Sequence, residues 1–549
     1  MYVPFYMAIM PFNPTLTILF IISFIVTSSA DPITTACTDV RSHDTSRSKC
    51  IYIKTHSDCH PKGYINYLQI FYCTLSRFPN LGFILLLLWL VILFYVLSNT
   101  ASEYFCPAVE HLSKIINLSP ALAGTTLLPL GNGSPDVFAS IISFTASSDG
   151  GDIGINSILG GAIFVTTVVV GVLSLLLSYR RKYVEVDKAN FVRDVVFLLF
   201  ALSSLLVVII IGKITLWASL LFTSTYIIYI CLVSYMHFIS IKNKRVTSNT
   251  ACGQSGQYHD LRLPLLISSP HKDKDVSNKK KVVMLILNVM GLPFYLPRRL
   301  TIPLVTKEKW SKPFGVISVG LAPIMLALIF TTQQGKMGSK SSLFICGMSL
   351  VIGIALGTCT LVRTSSTMAP QKCLIIWYAS GFLMSVTWTY ITAEELVSLL
   401  QSLGTIIGIK PSILGLTVLA WGNSLGDLTA NVAMAIHDGP DGAQIAIAGC
   451  FAGPVFNIYM GLGFSFVIAS WLDYPAPYMV PVNPYLCETV GFLIVGLLWA
   501  LVVLPKRQMR LDQTLGGGLL AIYLCFLFIK IARAVGLIDF STSNSLEVV

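Results

Sequence analysis

Two short motifs place carboxylate and amide groups inside apolar stretches of the chain, at Gly131–Asp136 (GNGSPD) and Gly422–Asp427 (GNSLGD). A charged side chain at membrane depth is costly, so an aspartate there is a functional candidate by default. Carboxylate, amide, hydroxyl and freed backbone oxygens are hard ligands that suit calcium, sodium and similar cations. Neither motif contains Cys or His, which disfavours zinc or copper. The motifs therefore predict binding of hard cations.

The two motifs belong to a longer internal repeat. Asp427 follows Asp136 by 291 residues (427 − 136), and the identical residues that the same offset aligns between positions 103 and 139 include eight pairs with polar, Gly, Pro or Ala side chains. Agreement at polar positions inside apolar stretches favours a duplication whose two halves build one shared site. The eight pairs are Glu103/Glu394, Pro120/Pro411, Gly124/Gly415, Thr126/Thr417, Gly131/Gly422, Asn132/Asn423, Asp136/Asp427 and Ala139/Ala430.

A structural role is the alternative interpretation for a single motif, because Gly and Pro kink helices and Asn or Asp can join neighbouring helices. For a symmetric pair, ion binding is the better interpretation, since transporters bind ions near the midplane at repeat interfaces. Two facing carboxylates also repel each other and share protons when empty. This couples cation binding to proton or sodium binding, as an antiporter requires.

The composition excludes an ordinary soluble domain. Of the 549 residues, 54% are hydrophobic and 11% are charged, and the mean hydropathy is +0.74. Apolar runs long enough to cross a bilayer recur along the chain, so we predict an all-α polytopic membrane protein. Gly and Pro interrupt the second run of each repeat, which predicts broken helices there. The runs lie at 82–105, 119–145, 155–178, 191–211, 214–240, 314–334, 342–362, 373–403, 411–436, 443–470, 483–504 and 515–535.

The distribution of Lys and Arg predicts the orientation of these spans. Basic residues follow the third and eleventh spans, precede the second repeat and fill 241–313, whereas the connections at 147–152 and 471–484 contain none. If the first span begins outside, all the basic segments are cytosolic and the second repeat enters inverted. The predicted segments are a signal peptide or anchor (1–30), an extracytosolic Cys-containing segment (31–80), repeat 1 (81–240), a cytosolic basic loop (241–313), two linking helices (314–362), repeat 2 (363–536) and an extracytosolic tail (537–549).

The net charge of +11 comes largely from the cytosolic loop. Between Lys242 and Lys312, 14 Lys and Arg face 4 Asp and Glu. The positive-inside rule explains this charge without nucleic acid, so the predicted partners are the lipid bilayer and the transported cations. Regulation by the loop stays open, because nothing in it indicates an effector.

The amino-terminal 15–27 segment is apolar and ends in small residues, like a secretory signal, but it lacks the usual positive flank. Four cysteines follow it. An even set on the extracytosolic side favours disulfides of unspecified pairing. The alternative is a metal site with His56 and His60, although the cysteine spacings fit no zinc pattern. The disulfide candidates are Cys37, Cys50, Cys59 and Cys73.

The two motifs, with 161–167 (GAIFVTT) after the first and 453–457 (GPVFN) after the second, resemble the α-repeats of the calcium/cation antiporter superfamily. Within it, the chain most resembles the plant cation/calcium exchangers. These are relatives of the potassium-dependent sodium/calcium exchangers and of the mitochondrial sodium/calcium/lithium exchanger. The similarity includes Cys59–Cys73 and 298–303 (RRLTIP), and it covers residues 37–535.

The resemblance implies a sodium/calcium exchanger-like fold, an inverted-topology repeat of two five-helix halves with two extra helices between them. It implies antiport of Ca²⁺, with Mn²⁺ or monovalent cations as further cargo, against Na⁺, K⁺ or H⁺, and no cofactor beyond these transported ions. Carried over by position, the cation ligands are Asn132, Asp136, Asn423, Ser424, Asp427 and Asn457, with Pro129, Gly161, Ala420 and Gly453 as weaker candidates.

Two positions depart from the family pattern. Val165 takes the place that Asn457 has in the second repeat, and Gly133 lacks the hydroxyl of Ser424. The potassium-dependent exchangers have an aspartate where this chain has Asn457, so the counter-ion stays open. The matched Glu103 and Glu394 are gating candidates, with a solvated or interfacial position as the alternative.

A calcium-permeable or calcium-regulated cation channel is the second functional hypothesis, and an intramembrane hydrolase is a distant third. The duplicated asparagines argue against the hydrolase. The signal-like start and the extracytosolic cysteines indicate the secretory and endomembrane system. The vacuolar, endoplasmic-reticulum and plasma membranes all remain open.

Overall fold

The computed structural model is mainly helical in the part of the chain that it describes. It describes residues 37, 40, 45–56, 59, 63–108, 111, 120–146, 150–179, 185–250, 293–305, 310–333, 340–365, 370, 373–409, 411–437, 439–480 and 484–534. Only the backbone is described for some helical residues, among them 120–128, 131, 132 and 240–250. The predicted signal segment, most of the basic loop and the predicted tail lie outside the described residues.

Long helices follow the apolar runs. The amino-terminal helices are α1 (Ser46–Thr55), α2 (Tyr67–Gln69), α3 (Pro79–Thr100), α4 (Pro120–Ala146), α5 (Gly150–Ile163), α6 (Val170–Tyr179), α7 (Lys188–Ile211) and α8 (Leu216–Thr250). The next two are α9 (Lys312–Gln333) and α10 (Lys340–Arg363). The carboxy-terminal helices are α11 (Leu374–Ile407), α12 (Pro411–Leu414), α13 (Ala420–His437), α14 (Gly439–Phe456), α15 (Gly463–Leu472), α16 (Pro484–Lys506) and α17 (Gln513–Ala534).

Several helices are joined or extended by π-helical turns, which in proteins often mark functional sites. These turns are Ile70–Thr74 after α2, Ala101–Phe105 after α3, Phe164–Val169 between α5 and α6, Gly415–Leu419 between α12 and α13, and Asn457–Leu462 between α14 and α15.

Each of the twelve predicted apolar runs overlaps a helical segment of the described residues. Ten helices of the described residues are long and apolar enough to cross a membrane, so the prediction of an all-α polytopic membrane protein is confirmed. The ten are Pro79–Ala108, Gly151–Tyr179, Lys188–Ile211, Leu216–Met236, Lys312–Thr332, Lys340–Arg363, Leu374–Ile407, Ala443–Leu472, Leu486–Lys506 and Gln513–Arg533.

The prediction of broken helices at the two motifs is wrong. Helix α4 continues for 27 residues through Pro129 and Pro135, roughly 40 Å at the usual rise per residue. From Pro411 to His437, α12, its π turn and α13 are also continuous. Proline is tolerated within membrane helices because packing against neighbouring helices can satisfy the freed backbone groups.

The described residues belong to two compact units. Unit 1 comprises 1–90, 139–226 and 394–549, and unit 2 comprises 91–138 and 227–393. In unit 1, α5 packs against α13, α14 and α16. The two most buried of the ten apolar helices, Gly151–Tyr179 and Ala443–Leu472, lie in this unit.

A two-stranded antiparallel sheet connects two turns of unit 1. Strand β1 (Lys213–Ile214) follows α7, and β2 (Tyr478–Met479) lies between α15 and α16. Gly212 ends α7 with a φ of 69°, a left-handed conformation that glycine adopts without steric cost.

In unit 2, the 298–303 motif anchors the last part of the predicted basic loop. Arg298 is 1% exposed. Its guanidinium donates hydrogen bonds to Thr100 Oγ1 (2.9 Å) and to the Phe294 carbonyl (2.9 Å) and lies over the ring of Tyr104. Burial lowers the pKa of Arg298 from its ordinary value. The neighbouring core of unit 2 consists of Tyr104, Ile302, Leu304, Ala322 and Met384.

Candidate cation-binding site

Helix α4 carries the first motif. Asp136 is 2% exposed, so its carboxylate lies in the interior of the protein. Pro129 and Pro135 have no N–H donor, which leaves the carbonyl groups four residues earlier, at Thr125 and Gly131, without their usual helical bond. Backbone carbonyl and carboxylate oxygens are the ligand types that calcium prefers.

Helix α13 carries the second motif and begins directly after a π turn. Ser424 is fully buried and Asn423 is 5% exposed, whereas Asp427 is half-buried. Ser424 Oγ has no hydrogen-bond partner among the described residues. A buried hydroxyl in this condition costs about 1–3 kcal/mol, and a bound hard cation would offset the cost by accepting the oxygen as a ligand.

Glycine lets α5 approach the π turn and the first residue of α13, just before the second motif. A Cβ added at Gly160 would overlap the carbonyl oxygen of Leu416 and lie 2.8 Å from the Cβ of Ala420. A Cβ added at Gly415 would lie 3.0 Å from the carbonyl oxygen of Ile153. Helix α5 therefore packs directly against the π turn that positions α13. Sequence reasoning did not select Gly160, although the Gly-Gly pair was a signal for close helix packing.

Two π turns position the residues that follow the motifs. Val165 lies in the turn Phe164–Val169 and is 6% exposed, and Asn457 begins the turn Asn457–Leu462 and is 7% exposed. Gly453 lies one turn before Asn457, and a Cβ added to it would meet no described atom within 4 Å. The second repeat thus has a buried amide at the place where the first repeat has a buried apolar side chain.

The candidate ligands belong to both units. In unit 1, α5, α13, α14 and the π turns beside them pack against one another, which brings the second-repeat candidates and Gly161 into one cluster of elements. The side chain of Asn132 lies outside the described residues. Unit 1 contains Gly161, Ala420, Asn423, Ser424, Asp427, Gly453 and Asn457, and unit 2 contains Pro129, Asn132 and Asp136.

The two gating candidates are both half-buried. Glu103 lies in the π turn Ala101–Phe105, and Glu394 lies in α11. Their role stays a prediction. The next residue, Glu395, is more buried, at 7% exposure, and its carboxylate accepts hydrogen bonds from the amino-terminal segment. Sequence reasoning missed Glu395 because the repeat alignment pointed to its neighbour.

The amino-terminal cysteines form two disulfides, Cys37–Cys59 and Cys50–Cys73, with Cα separations of 5.2 and 5.0 Å. Both separations are typical of disulfides. The pairing removes these thiols as zinc ligands. No group of three or more His, Cys, Asp and Glu suited to a metal ion occurs in the part of the chain that the structure describes.

Residues 86–235 and 377–532, more than half of the chain, match the family described as sodium/calcium exchanger protein. The chain belongs to this family. Each matched segment contains one of the two motifs, and together they include every candidate cation ligand.

Relatives match over most of their length. The chain is 48% identical to cation/calcium exchanger 1 of Arabidopsis thaliana, over 90% of this chain and 89% of the relative. It is 43% identical to cation/calcium exchanger 2 of the same plant, over 91% of each chain. The human mitochondrial sodium/calcium exchanger protein is 28% identical, over 89% of this chain and 88% of the relative. The resemblance to plant cation/calcium exchangers is confirmed.

Among solved structures, the chain is similar to the H+/Ca2+ exchanger CAX, with 13% identity and a TM-score of 0.45. The match covers 86% of this chain and 91% of that chain.

Proposed function

We propose that the chain is a membrane antiporter that exchanges Ca²⁺ for Na⁺, K⁺ or H⁺ by alternating access. The observation that carries the proposal is Asp136, 2% exposed inside a 27-residue helix of a protein from an exchanger family. Buried carboxylates within membrane proteins commonly mark ion pathways and ion-binding sites. Asp427 holds the equivalent place in the second repeat.

The proposed charged ligands are Asp136 and Asp427. The two negative charges of these carboxylates can be balanced by one Ca²⁺, or by two monovalent cations or protons. Ca²⁺ and the counter-ions therefore compete for the same two carboxylates. The buried hydroxyl of Ser424 supports this assignment, because it has no described partner and is a hard oxygen donor. The proposed neutral ligands are the side chains of Asn132, Asn423, Ser424 and Asn457 and the backbone at Pro129, Gly161, Ala420 and Gly453.

Sodium is the first counter-ion to test, because the relatives include sodium/calcium exchangers. Purified protein in proteoliposomes should take up Ca²⁺ when a gradient of Na⁺, K⁺ or H⁺ is imposed, and only the true counter-ion should drive uptake. Asp136→Asn and Asp427→Asn should each abolish uptake, since they keep the side-chain shape but remove the charge. Asp473→Asn is the matched control, because Asp473 is exposed in a loop.

The channel alternative predicts a different result. A channel would show unitary currents in a planar bilayer and Ca²⁺ flux without any counter-ion gradient. Such currents, or full uptake by both aspartate variants, would refute the antiporter proposal.

We also propose that the protein resides in the secretory and endomembrane system. Two disulfides in the amino-terminal segment support an oxidising compartment on that side of the membrane. Thiol labelling of intact organelles, with and without prior reduction, should show these four cysteines protected and facing the lumen or the exterior. Free thiols facing the cytosol would contradict this location.

A further inference from the structure

A small lobe precedes the first spanning helix. We define the disulfide lobe as the described residues between Cys37 and Thr74. Its buried core consists of Cys37, Val40, Ile53, Cys59 and Leu68, and two disulfides, Cys37–Cys59 and Cys50–Cys73, cross-link it. A segment of this size has too little apolar core to fold alone, so disulfides and docking must supply the remaining stability.

The disulfide lobe forms hydrogen bonds with Glu395 of α11. Glu395 Oε1 accepts hydrogen bonds from the backbone N–H groups of Tyr64 and Ile65, the latter at 3.3 Å, and Oε2 accepts one from the Tyr67 hydroxyl. Hydrogen bonds between a carboxylate and N–H or O–H donors are among the stronger hydrogen bonds in proteins. Burial raises the pKa of Tyr67, so its hydroxyl keeps the proton that it donates. The buried charge of Glu395 is thus satisfied by the lobe itself.

The contact continues along α11. A Cβ added at Gly63 would lie 2.6 Å from Ser398 Oγ, so the lobe backbone lies close against the helix and a larger residue there would force the Ser398 side chain to shift. Ile406 packs against the lobe core. Positions 395, 398 and 406 lie on one face of a helix, and they span about three turns.

The same network reaches the first helix of the other repeat. Trp89 Nε1 donates a hydrogen bond of 2.9 Å to the hydroxyl of Tyr67. Trp89 lies in α3, the first helix of the 86–235 segment, and Glu395 lies in α11, the first helix of the 377–532 segment. The Tyr67 hydroxyl therefore links the first helix of each half through two hydrogen bonds.

We propose that Glu395 is a positioning residue for exchange, which docks the disulfide lobe onto α3 and α11 and so sets the balance between the two access states. Alternating access requires the two halves to rearrange. A contact that forms in one arrangement and not in the other shifts the population toward the first. The proposal rests on the antiport function and adds its regulation by an extracytosolic element.

A change in this balance has a signature that partial misfolding cannot produce. The apparent affinity on each side of the membrane equals the intrinsic affinity scaled by the fraction of protein open to that side. Moving population from one state to the other therefore raises the half-saturating Ca²⁺ on one side and lowers it on the other. A misfolded fraction would lower the maximal rate and leave both half-saturating concentrations unchanged.

The test measures Ca²⁺ flux in sealed vesicles of both orientations for wild type, Glu395→Gln, Tyr67→Phe and the double variant. Each single variant should shift the two half-saturating concentrations in opposite directions, at least one of them by roughly threefold. The double variant should match the stronger single variant, because both changes break one network. Glu185→Gln is the matched control, since Glu185 is an exposed carboxylate paired with Arg510, and it should shift neither value.

A second readout follows the lobe directly. Lys54 is exposed on α1, and trypsin added to the extracytosolic side should cleave there faster in Glu395→Gln than in wild type. Unchanged half-saturating concentrations on both sides, or shifts in the same direction, would overturn the proposal. An absence of gradient-driven flux in wild type would instead overturn the antiport function, and the two failures are thereby distinguishable.

Discussion

Replacing Ser424 by alanine tests whether its hydroxyl is a cation ligand or a structural group. Ser424 is fully buried, and its Oγ has no hydrogen-bond partner among the described residues. Removing an unsatisfied buried hydroxyl relieves a cost of about 1–3 kcal/mol. We therefore expect Ser424→Ala without Ca²⁺ to be at least as stable as wild type. If the hydroxyl binds the cation, the same change should weaken Ca²⁺ binding, which we take as about tenfold, or about 1.4 kcal/mol.

The two effects can be read in one thermal-unfolding experiment. A ligand at about 100 times its Kd stabilises the folded protein by about 2.7 kcal/mol. After a tenfold loss of affinity, the same Ca²⁺ concentration is about 10 times the Kd, and the stabilisation falls to about 1.4 kcal/mol. The variant should therefore unfold at the same or a higher temperature without Ca²⁺ and show about half of the wild-type Ca²⁺-induced shift.

Ser140→Ala is the matched control. Ser140 is equally buried, but its Oγ is 2.9 Å from the Oγ of Ser465 and forms a hydrogen bond with it. Its removal should destabilise the protein by about 1 kcal/mol and leave the Ca²⁺-induced shift intact. The reasoning fails if Ser424→Ala is less stable than wild type without Ca²⁺ while its response to Ca²⁺ is unchanged, because Ser424 would then be a structural residue.

Three further changes test the packing of the fold by thermal unfolding of the purified protein. Gly160→Ala should lower both stability and transport, because the new methyl group meets a backbone carbonyl. Gly517→Ala is the control and should be tolerated, since a Cβ added there meets no described atom within 4 Å. Equal effects of the two changes would contradict the close approach of α5. Glu488→Gln should destabilise the protein by about 3–5 kcal/mol, since it leaves the buried Lys530 without its carboxylate partner at 3.0 Å. A smaller loss of stability in Glu488→Gln than in Lys530→Met would contradict this expectation. Arg298→Met should cost about 1–3 kcal/mol, because it leaves buried acceptors without their donor, and unchanged stability would show that the 298–303 anchor is dispensable.

Much of the fold and part of the candidate site could be predicted from local sequence. The helices follow from apolar runs of bilayer length, and the internal offset of 291 residues identifies the two aspartates without tertiary information. The broken helices were predicted wrongly, because a rule about Pro and Gly considers only neighbours along the chain. In α4, the helix persists through two prolines, since tertiary packing within a membrane protein can satisfy the groups that proline frees.

Repeat symmetry selected Glu394 as a gating candidate and passed over its neighbour Glu395. It pointed to Glu394, which is half-buried, whereas Glu395 is 7% exposed and holds the disulfide lobe. The partners of Glu395 come from residues 64, 65 and 67, about 330 positions earlier in the chain. No local pattern encodes a contact over that distance.

By itself, the sequence determined the class of protein, the helical spans, the duplicated motifs and the set of hard oxygen donors. These properties depend on residue type and spacing within one stretch of chain, where hydrophobic length and ligand chemistry are already explicit. Only the tertiary structure decided the pairing of the four cysteines, the close approach of Gly160 to the start of α13, the lack of a described hydrogen-bond partner for Ser424 Oγ and the docking of the lobe on Glu395. Each of these depends on distances between segments far apart in sequence, which are set when the helices pack and not before.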